Sequence, residues 1–209
     1  MSTEKKYPHD AAARAASYIA KLLMPHCTRL DIAGSIRRIR HMAKDIEIVC
    51  EPKKEFEQTG LFADVGEWLV SKDFSEGLAL ITDEVVLGNV SGRYMKILTN
   101  SRLCPGIKLD LFMPQPDDYY RILAIRTGSR DYAERYIASS WKRKGWVGTH
   151  DGLRKIDQCT ETPSGWKCTA GKPTLPPVWK SEGEFFTWLG TEYKDPADRE
   201  IHKSVNESL

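Results

Sequence analysis

The chain has 209 residues, 41% apolar and 29% charged, enough for one mid-sized domain or two small ones with a real core. Lys and Arg total 31 against 29 Asp and Glu, a formal net charge of +2 that argues neither for nor against a nucleic-acid partner. No apolar run approaches the roughly 18 residues that a membrane-spanning helix needs, and Met1 to Lys6 leads into an Ala-rich stretch broken by Arg14 and Lys21, unlike a signal core, so an intracellular protein without a membrane partner is expected.

Residues 9–24 repeat apolar positions at Ala12, Ala16, Ile19, Ala20 and Leu23, predicting a helix stopped by Pro25. Thr28–Ala33 reads as a short strand, and Gly34-Ser35 opens a basic segment, Ile36 to Arg40, predicted as a helix start with Ser35 as its cap. Asp45-Ile-Glu-Ile-Val49 alternates without a break, the pattern of a half-buried strand. A second amphipathic helix is predicted over Gly60–Lys72 with Phe62, Val65 and Leu69 on one face, followed by strands at Leu78–Leu87, Arg93–Thr99 and Ile107–Met113. Pro114-Gln-Pro116 marks a composition break, giving expected domains 1–115 and 116–209. Beyond it come a helix over Asp131–Lys144 with Ala133, Ile137, Ser140 and Trp141 inward, short strands in Gly145–Ile156 and around Cys159–Cys168, and a last helix. That helix is announced by the capping-box pattern Ser181-Glu-Gly-Glu184 and runs through Trp188-Leu189. The expected fold class is α+β.

Five cysteines, at 27, 50, 104, 159 and 168, include no C-x-x-C pair and no zinc spacing. Cys159 and Cys168 bracket a hairpin-like Thr-Glu-Thr-Pro-Ser-Gly, so they can face each other, although a reducing compartment disfavours a functional disulfide. Trp141 reads as core, and Trp146 and His150 lie beside Lys142–Lys144, either packing a hairpin or stacking on a base.

Charge is segregated. Residues 29–44 carry a net +4 and residues 121–155 a net +6, whereas residues 51–84 carry a net −6. A basic face of that size points to phosphate, with a solvated helix face as the plain alternative. Asp45 and Glu47, two apart on a strand, project from one face, and a neighbouring strand Lys108-Leu-Asp-Leu-Phe112 can add Asp110. Carboxylates forced together repel unless a divalent cation lies between them, and three such oxygen ligands suit Mg²⁺. Ahead of them, Gly34-Ser35 offers a small-residue turn at a helix start, a ready anion cradle, with Arg38 able to hold phosphate bidentately.

Gly34-Ser35, Asp45-x-Glu47 and Asp110 resemble the nucleotidyltransferase signature, and Gly34-Ser-Ile-Arg-Arg38 with Asp45-Ile-Glu47 resembles the palm of DNA polymerase beta (family X). Lys108 to Phe112, Thr127-Gly-Ser129 and Leu189-Gly…Tyr193-x-x-Pro196-x-x-Arg199-Glu200 extend the resemblance from about residue 8 to residue 200. It is nearest the small phage- or virus-type members. With only about thirty residues before the Gly-Ser turn, neither an N-terminal lyase domain nor lyase activity is expected. The chain departs from the pattern in having Glu47 for the usual Asp, Lys44 where a Gly often stands, and Arg126 where larger members carry an aromatic residue. The resemblance implies a palm of mixed β-sheet flanked by helices plus a small α/β C-terminal subdomain, and a monomeric DNA-directed DNA polymerase that extends a primer 3′-hydroxyl, filling short gaps. It also implies dNTP and primer–template or gapped DNA as partners, and two Mg²⁺ ions, for which Mn²⁺ can substitute. Asp45, Glu47 and Asp110 would be both the catalytic residues and the metal ligands. Gly34, Ser35, Arg38, Lys44, Thr127, Gly128 and Ser129 would bind the nucleotide. Lys108, Lys142, Arg143 and Lys144 would bind DNA, Lys108 being read equally well as a strand-surface lysine. The rival expectations are a template-independent or small-molecule nucleotidyltransferase on the same palm, and a nucleic-acid-binding module with a decayed site.

Overall fold

The computed structural model describes residues 5–58 and 66–201. After a two-residue strand β1 (Tyr7–Pro8), helix α1 (His9–Leu23) buries Ala12, Ala16, Ile19 and Leu23, and Ala15 with them. Strand β2 (Cys27–Ile32) and the short helix α2 (Gly34–Arg37) follow, then β3 (Met42–Ala43), which pairs with β1, and the eight-residue β4 (Asp45–Pro52). A hairpin of β5 (Lys54–Gln58) and β6 (Gly66–Val70), helix α3 (Lys72–Ala79), and strands β7 (Thr82–Gly88), β8 (Tyr94–Thr99) and β9 (Lys108–Phe112) complete the first half.

The main sheet has the order β2-β4-β9-β8-β7, antiparallel except for the parallel pair β4–β9. Strand alternation gives it two unlike faces. Ile46, Ile48 and Cys50 of β4, with Leu109 and Leu111 of β9 and Met95 and Ile97 of β8, pack with α1 and α3 into an aliphatic core. The opposite face carries Val49 and Phe112, which pack under Tyr119 and Leu123 of helix α4 (Tyr119–Thr127). The Tyr119 hydroxyl donates to Asp31 and to the Val49 carbonyl, fixing α4 on that face.

Past Gly128 the chain forms one continuous helical path: α5 (Arg130–Tyr132), a six-residue π-helical stretch (Ala133–Ala138) and α6 (Ser139–Arg143). Strands β10 (Trp146–Thr149), β11 (Gly152–Lys155), β12 (Cys159–Thr162) and β13 (Gly165–Cys168) form a second sheet ordered β11-β10-β13-β12. Helix α7 (Glu182–Leu189) packs Phe185, Phe186 and Leu189 with Trp141, Trp146 and Trp179 into an aromatic core. Its cap works as the sequence indicates: Ser181 Oγ accepts from the Glu184 amide, while the Glu184 carboxylate accepts from the Lys180 amide. Gly190, in the left-handed region at φ 74°, closes it.

The α+β class stands, with three local corrections. Gly66–Val70 is a strand, not part of a helix over 60–72; Phe62 and Val65 lie outside the described residues. Its pairing with the preceding strand, Phe56↔Trp68 and Lys54↔Val70, outweighs the helical spacing of its apolar residues. The strand expected from Leu78 begins at Thr82, because Leu78 and Ala79 finish α3, whose cap is Ser71 Oγ accepting from the Phe74 amide. Finally, Ser35 is not a helix cap: Ala33 holds that position and Ser35 lies inside the first turn. Among the described residues no helix is long and apolar enough to cross a membrane.

Candidate functional site

The parallel register of β4 and β9 sets Asp45 opposite Lys108 and Glu47 opposite Asp110. All four positions share the face that farther along buries Val49 and Phe112. The three carboxylates therefore stand together where the α4-covered face of the sheet opens to solvent. Gly34 closes over them. Its φ of +64° is open to glycine at no cost, and a Cβ there would fall on the Glu47 carboxylate. The Glu47 side chain thus lies directly against the backbone of the Gly-Ser turn.

Their charges are unevenly compensated. Asp110 accepts from the Tyr94 hydroxyl at 2.5 Å and pairs with Lys96 at 3.2 Å. Lys44 approaches Asp45 only to 3.9 Å. Glu47 is pushed up to about 7, first by burial and then by repulsion from Asp45, which Arg126 and Arg38 only partly oppose. Burial and the bond to Asp110 hold the Tyr94 phenol well above its ordinary range, so it remains a donor. Arg126 stacks on Phe112 at 4.0 Å, its own pKa lowered by partial burial in the cleft.

A cavity of about 670 Å³ opens from these carboxylates, lined by Asp45 and Glu47 together with Ser35, Arg38, Lys44, Gly128 and Ser129. The Ser35 hydroxyl is buried without a hydrogen-bond partner among the described residues. Gly128 is required where it is, since a Cβ would meet the Tyr132 ring at 2.8 Å. Ser129 caps the following helix, accepting from the Tyr132 amide. A second cavity, of about 690 Å³, shares Glu47 and Arg126 and continues past Asp110 and Tyr94 to Gly148, Thr149 and His150.

No family model and no curated protein matches the chain.

Other residues singled out in the sequence fall into a joint behind the cavity. Arg37 donates to Thr127 Oγ1 at 2.6 Å and to Glu182 at 2.7 Å. Arg38 donates through Nε to Glu200 and through Nη1 to the Thr127 carbonyl, both at 2.6 Å. Arg199, wholly buried, donates to Glu182 at 2.6 Å and to the Lys194 carbonyl at 2.9 Å, and its carbonyl accepts from the Ser129 amide. So the Thr127 side chain is buried in the joint and not in the cavity wall, and Arg38 reaches the cavity with two of its nitrogens already bonded. Lys108 is exposed at the end of β9, and Lys142, Arg143 and Lys144 are exposed at the end of α6. Trp146 is core, against Trp188 and under Lys155, whereas His150 is exposed beside the second cavity.

Tyr94, Lys96 and Glu182 are site or joint residues that the sequence reading does not single out. Tyr94 and Lys96 had a signal: they alternate on the strand expected at Arg93–Thr99, and Lys96 pairs in register with Asp110. Glu182 had none beyond its place in a capping pattern.

The donor set is all oxygen, the chemistry a hard divalent cation takes. Among the described residues no group of three or more His, Cys, Asp or Glu side chains is placed to hold a metal ion, so Asp45, Glu47 and Asp110 share a face without forming a three-carboxylate ligand set.

Proposed function

We propose that this chain is a DNA-directed DNA polymerase of the polymerase-beta type, adding a dNMP to a primer 3′-hydroxyl and filling short gaps. On this reading the β2-β4-β9-β8-β7 sheet with its helices is a nucleotidyltransferase palm, and the aromatic-cored second half is its nucleotide- and DNA-binding subdomain. The observation that carries the reading is the single sheet face on which Asp45 and Glu47 meet a cavity walled by Ser35, Arg38, Lys44, Gly128 and Ser129, while Asp110, opposite Glu47, lines the adjoining cavity. Carboxylates beside a basic, glycine-lined recess are what a triphosphate with its counter-ions requires.

Asp45 and Glu47, with Asp110 beside them, would hold Mg²⁺, which when bound lowers the pKa of the attacking hydroxyl and offsets charge on the triphosphate and pyrophosphate. Asp110 is kept oriented by Tyr94 and Lys96. Glu47 carries a proton in much of the free protein near neutrality and must release it before it can act as an anionic ligand. Ser35 presents an unpaired hydroxyl to phosphate oxygen, and Lys44 adds a flexible charge at the mouth. Arg37, through Glu182 and Thr127, fixes the Gly-Ser turn against the second half, so both cavity walls keep one geometry.

The decisive assay is a labelled primer on a one-nucleotide gap with Mg²⁺ and each dNTP offered singly. Addition of the complementary nucleotide alone is the expected result. Indiscriminate addition would replace the reading with a template-independent transferase, and retained DNA binding without addition would replace it with a binding module.

A further inference from the structure

The β12–β13 hairpin sets two cysteines face to face in a way the rest of the molecule does not. Cys159 and Cys168 are direct register partners. The neighbouring pair is hydrogen-bonded, the Thr169 amide donating to the Gln158 carbonyl at 3.0 Å. Because the two kinds of pair alternate along an antiparallel ladder, Cys159 and Cys168 occupy a non-hydrogen-bonded pair, where Cα atoms approach to about 4.5 Å. That separation lies inside the window of about 4.4–6.8 Å that a disulfide spans without moving the backbone. The thiols already interact: burial and then the neighbouring Cys168 raise the Cys159 thiol. Both are partly open to solvent.

The remaining cysteines lack this combination. Cys27 and Cys50 also touch across β2 and β4, but both are buried in the main core, and the register partner of Cys27 is Pro52. Cys104 is buried. An attacking thiolate or a small disulfide can therefore reach Cys159 and Cys168 without opening the core.

We propose that Cys159 and Cys168 form a reversible dithiol–disulfide site, oxidised by a small-molecule disulfide such as glutathione disulfide and reopened by a dithiol reductant. One protein thiolate, having lost its proton, attacks a sulfur of glutathione disulfide, forming a mixed disulfide and expelling one glutathione thiolate. The second protein thiolate attacks the protein sulfur of that mixed disulfide, closing Cys159–Cys168 and expelling the second glutathione. Two protein thiols are oxidised, one glutathione disulfide is reduced to two glutathiones, and both protons end on the released thiols. In a reducing compartment the site stays open, and it closes as the ratio of disulfide to thiol rises. The hairpin joins the second sheet through one register pair, Thr149↔Trp166, and Thr149 lines the second cavity, so the cross-link stiffens a strand abutting that wall.

The test equilibrates the folded full-length chain in buffers of graded glutathione to glutathione-disulfide ratio, then quenches with acid, counts free thiols and maps peptides by mass spectrometry. The wild type should lose two of its five free thiols, drop in mass by two hydrogens and yield a linked peptide joining Cys159 to Cys168. Cys159→Ser and Cys168→Ser, both on a partly exposed hairpin, should each fold and lose that transition. Five free thiols at the most oxidising ratio would overturn the proposal. A link between Cys27 and Cys50, or covalent dimers in place of the intramolecular link, would equally overturn it.

Discussion

Two ionic clusters lie back to back on either side of the Gly34-Ser35 turn, and they are built on opposite rules. Behind the turn, Arg37, Arg38 and Arg199 meet Glu182, Glu200 and Thr127 at 2.6–2.7 Å, and each carboxylate there has a guanidinium partner. In front of it, Asp45, Glu47 and Asp110 share one face with Lys96 as their close cation and Lys44 at 3.9 Å. The joint is cross-braced by guanidinium–carboxylate bonds that fix how the two halves of the chain meet, with one Arg199 nitrogen buried and unpartnered among the described residues. On the sheet face burial and then repulsion from Asp45 push Glu47 up to about 7, against the pull of Arg126 and Arg38. A carboxylate shifted this far beside two others in a cleft supports the proposed reading of the face as the reactive one.

Removing a carboxylate should separate the two clusters most sharply. Asp110→Asn is expected to cut nucleotide addition by roughly 10³-fold or more in single-turnover assays, with thermal stability close to that of the wild type, since charge is removed from a crowded face. Equal loss of stability and activity would mean that the carboxylates are structural. In the joint the order reverses: Arg199→Met should cost about 3–5 kcal/mol in denaturant unfolding, because it strips a buried partner from Glu182.

The carboxylate face also responds to pH through Glu47. Glu47 titrates near 4.5 when unfolded and near 7 when folded, so its protonated form is favoured by folding. Its contribution is complete below about pH 4.5 and disappears as the pH rises through about 7, for a loss of about 2–3 kcal/mol in metal-free buffer. Glu47→Gln should abolish that slope, as unfolding curves at pH 5 and pH 8 would reveal. The smallest effect concerns Lys96: with the cation gone, Asp110 has one competitor fewer, and Lys96→Met should lower the half-saturating Mg²⁺ concentration by about threefold. An unchanged Mg²⁺ dependence would show that Lys96 does not compete for that carboxylate.

The same contrast explains what could be read from the residue order. Asp45-Ile-Glu-Ile-Val49 and Lys108-Leu-Asp-Leu-Phe112 alternate so regularly that their shared face is legible without coordinates. Tyr94 and Lys96 were not, because polar residues on a strand look like any solvated face until the register sets Lys96 opposite Asp110. Ser35 is not the cap its residue type suggests, because Gly34, free to take φ +64°, lets the helix begin two residues earlier, with Ala33 at the cap. Nothing local ties Arg37 to Glu182, 145 positions away, so the joint was illegible even though Arg199 and Glu200 stood out as a motif. The strand at Gly66–Val70 is not legible because the helical spacing of its apolar residues does not encode its antiparallel pairing with β5.

The claim that the carboxylate face is a metal-dependent nucleotide site is tested most directly by counting ions. Mn²⁺ binding, followed by electron paramagnetic resonance with a non-hydrolysable dNTP and gapped DNA, should reach about two ions per chain. A combined Asp45→Asn, Asp110→Asn variant should bind neither. If the wild type binds no more Mn²⁺ than that variant, the face is not a metal site and the proposed chemistry falls with it.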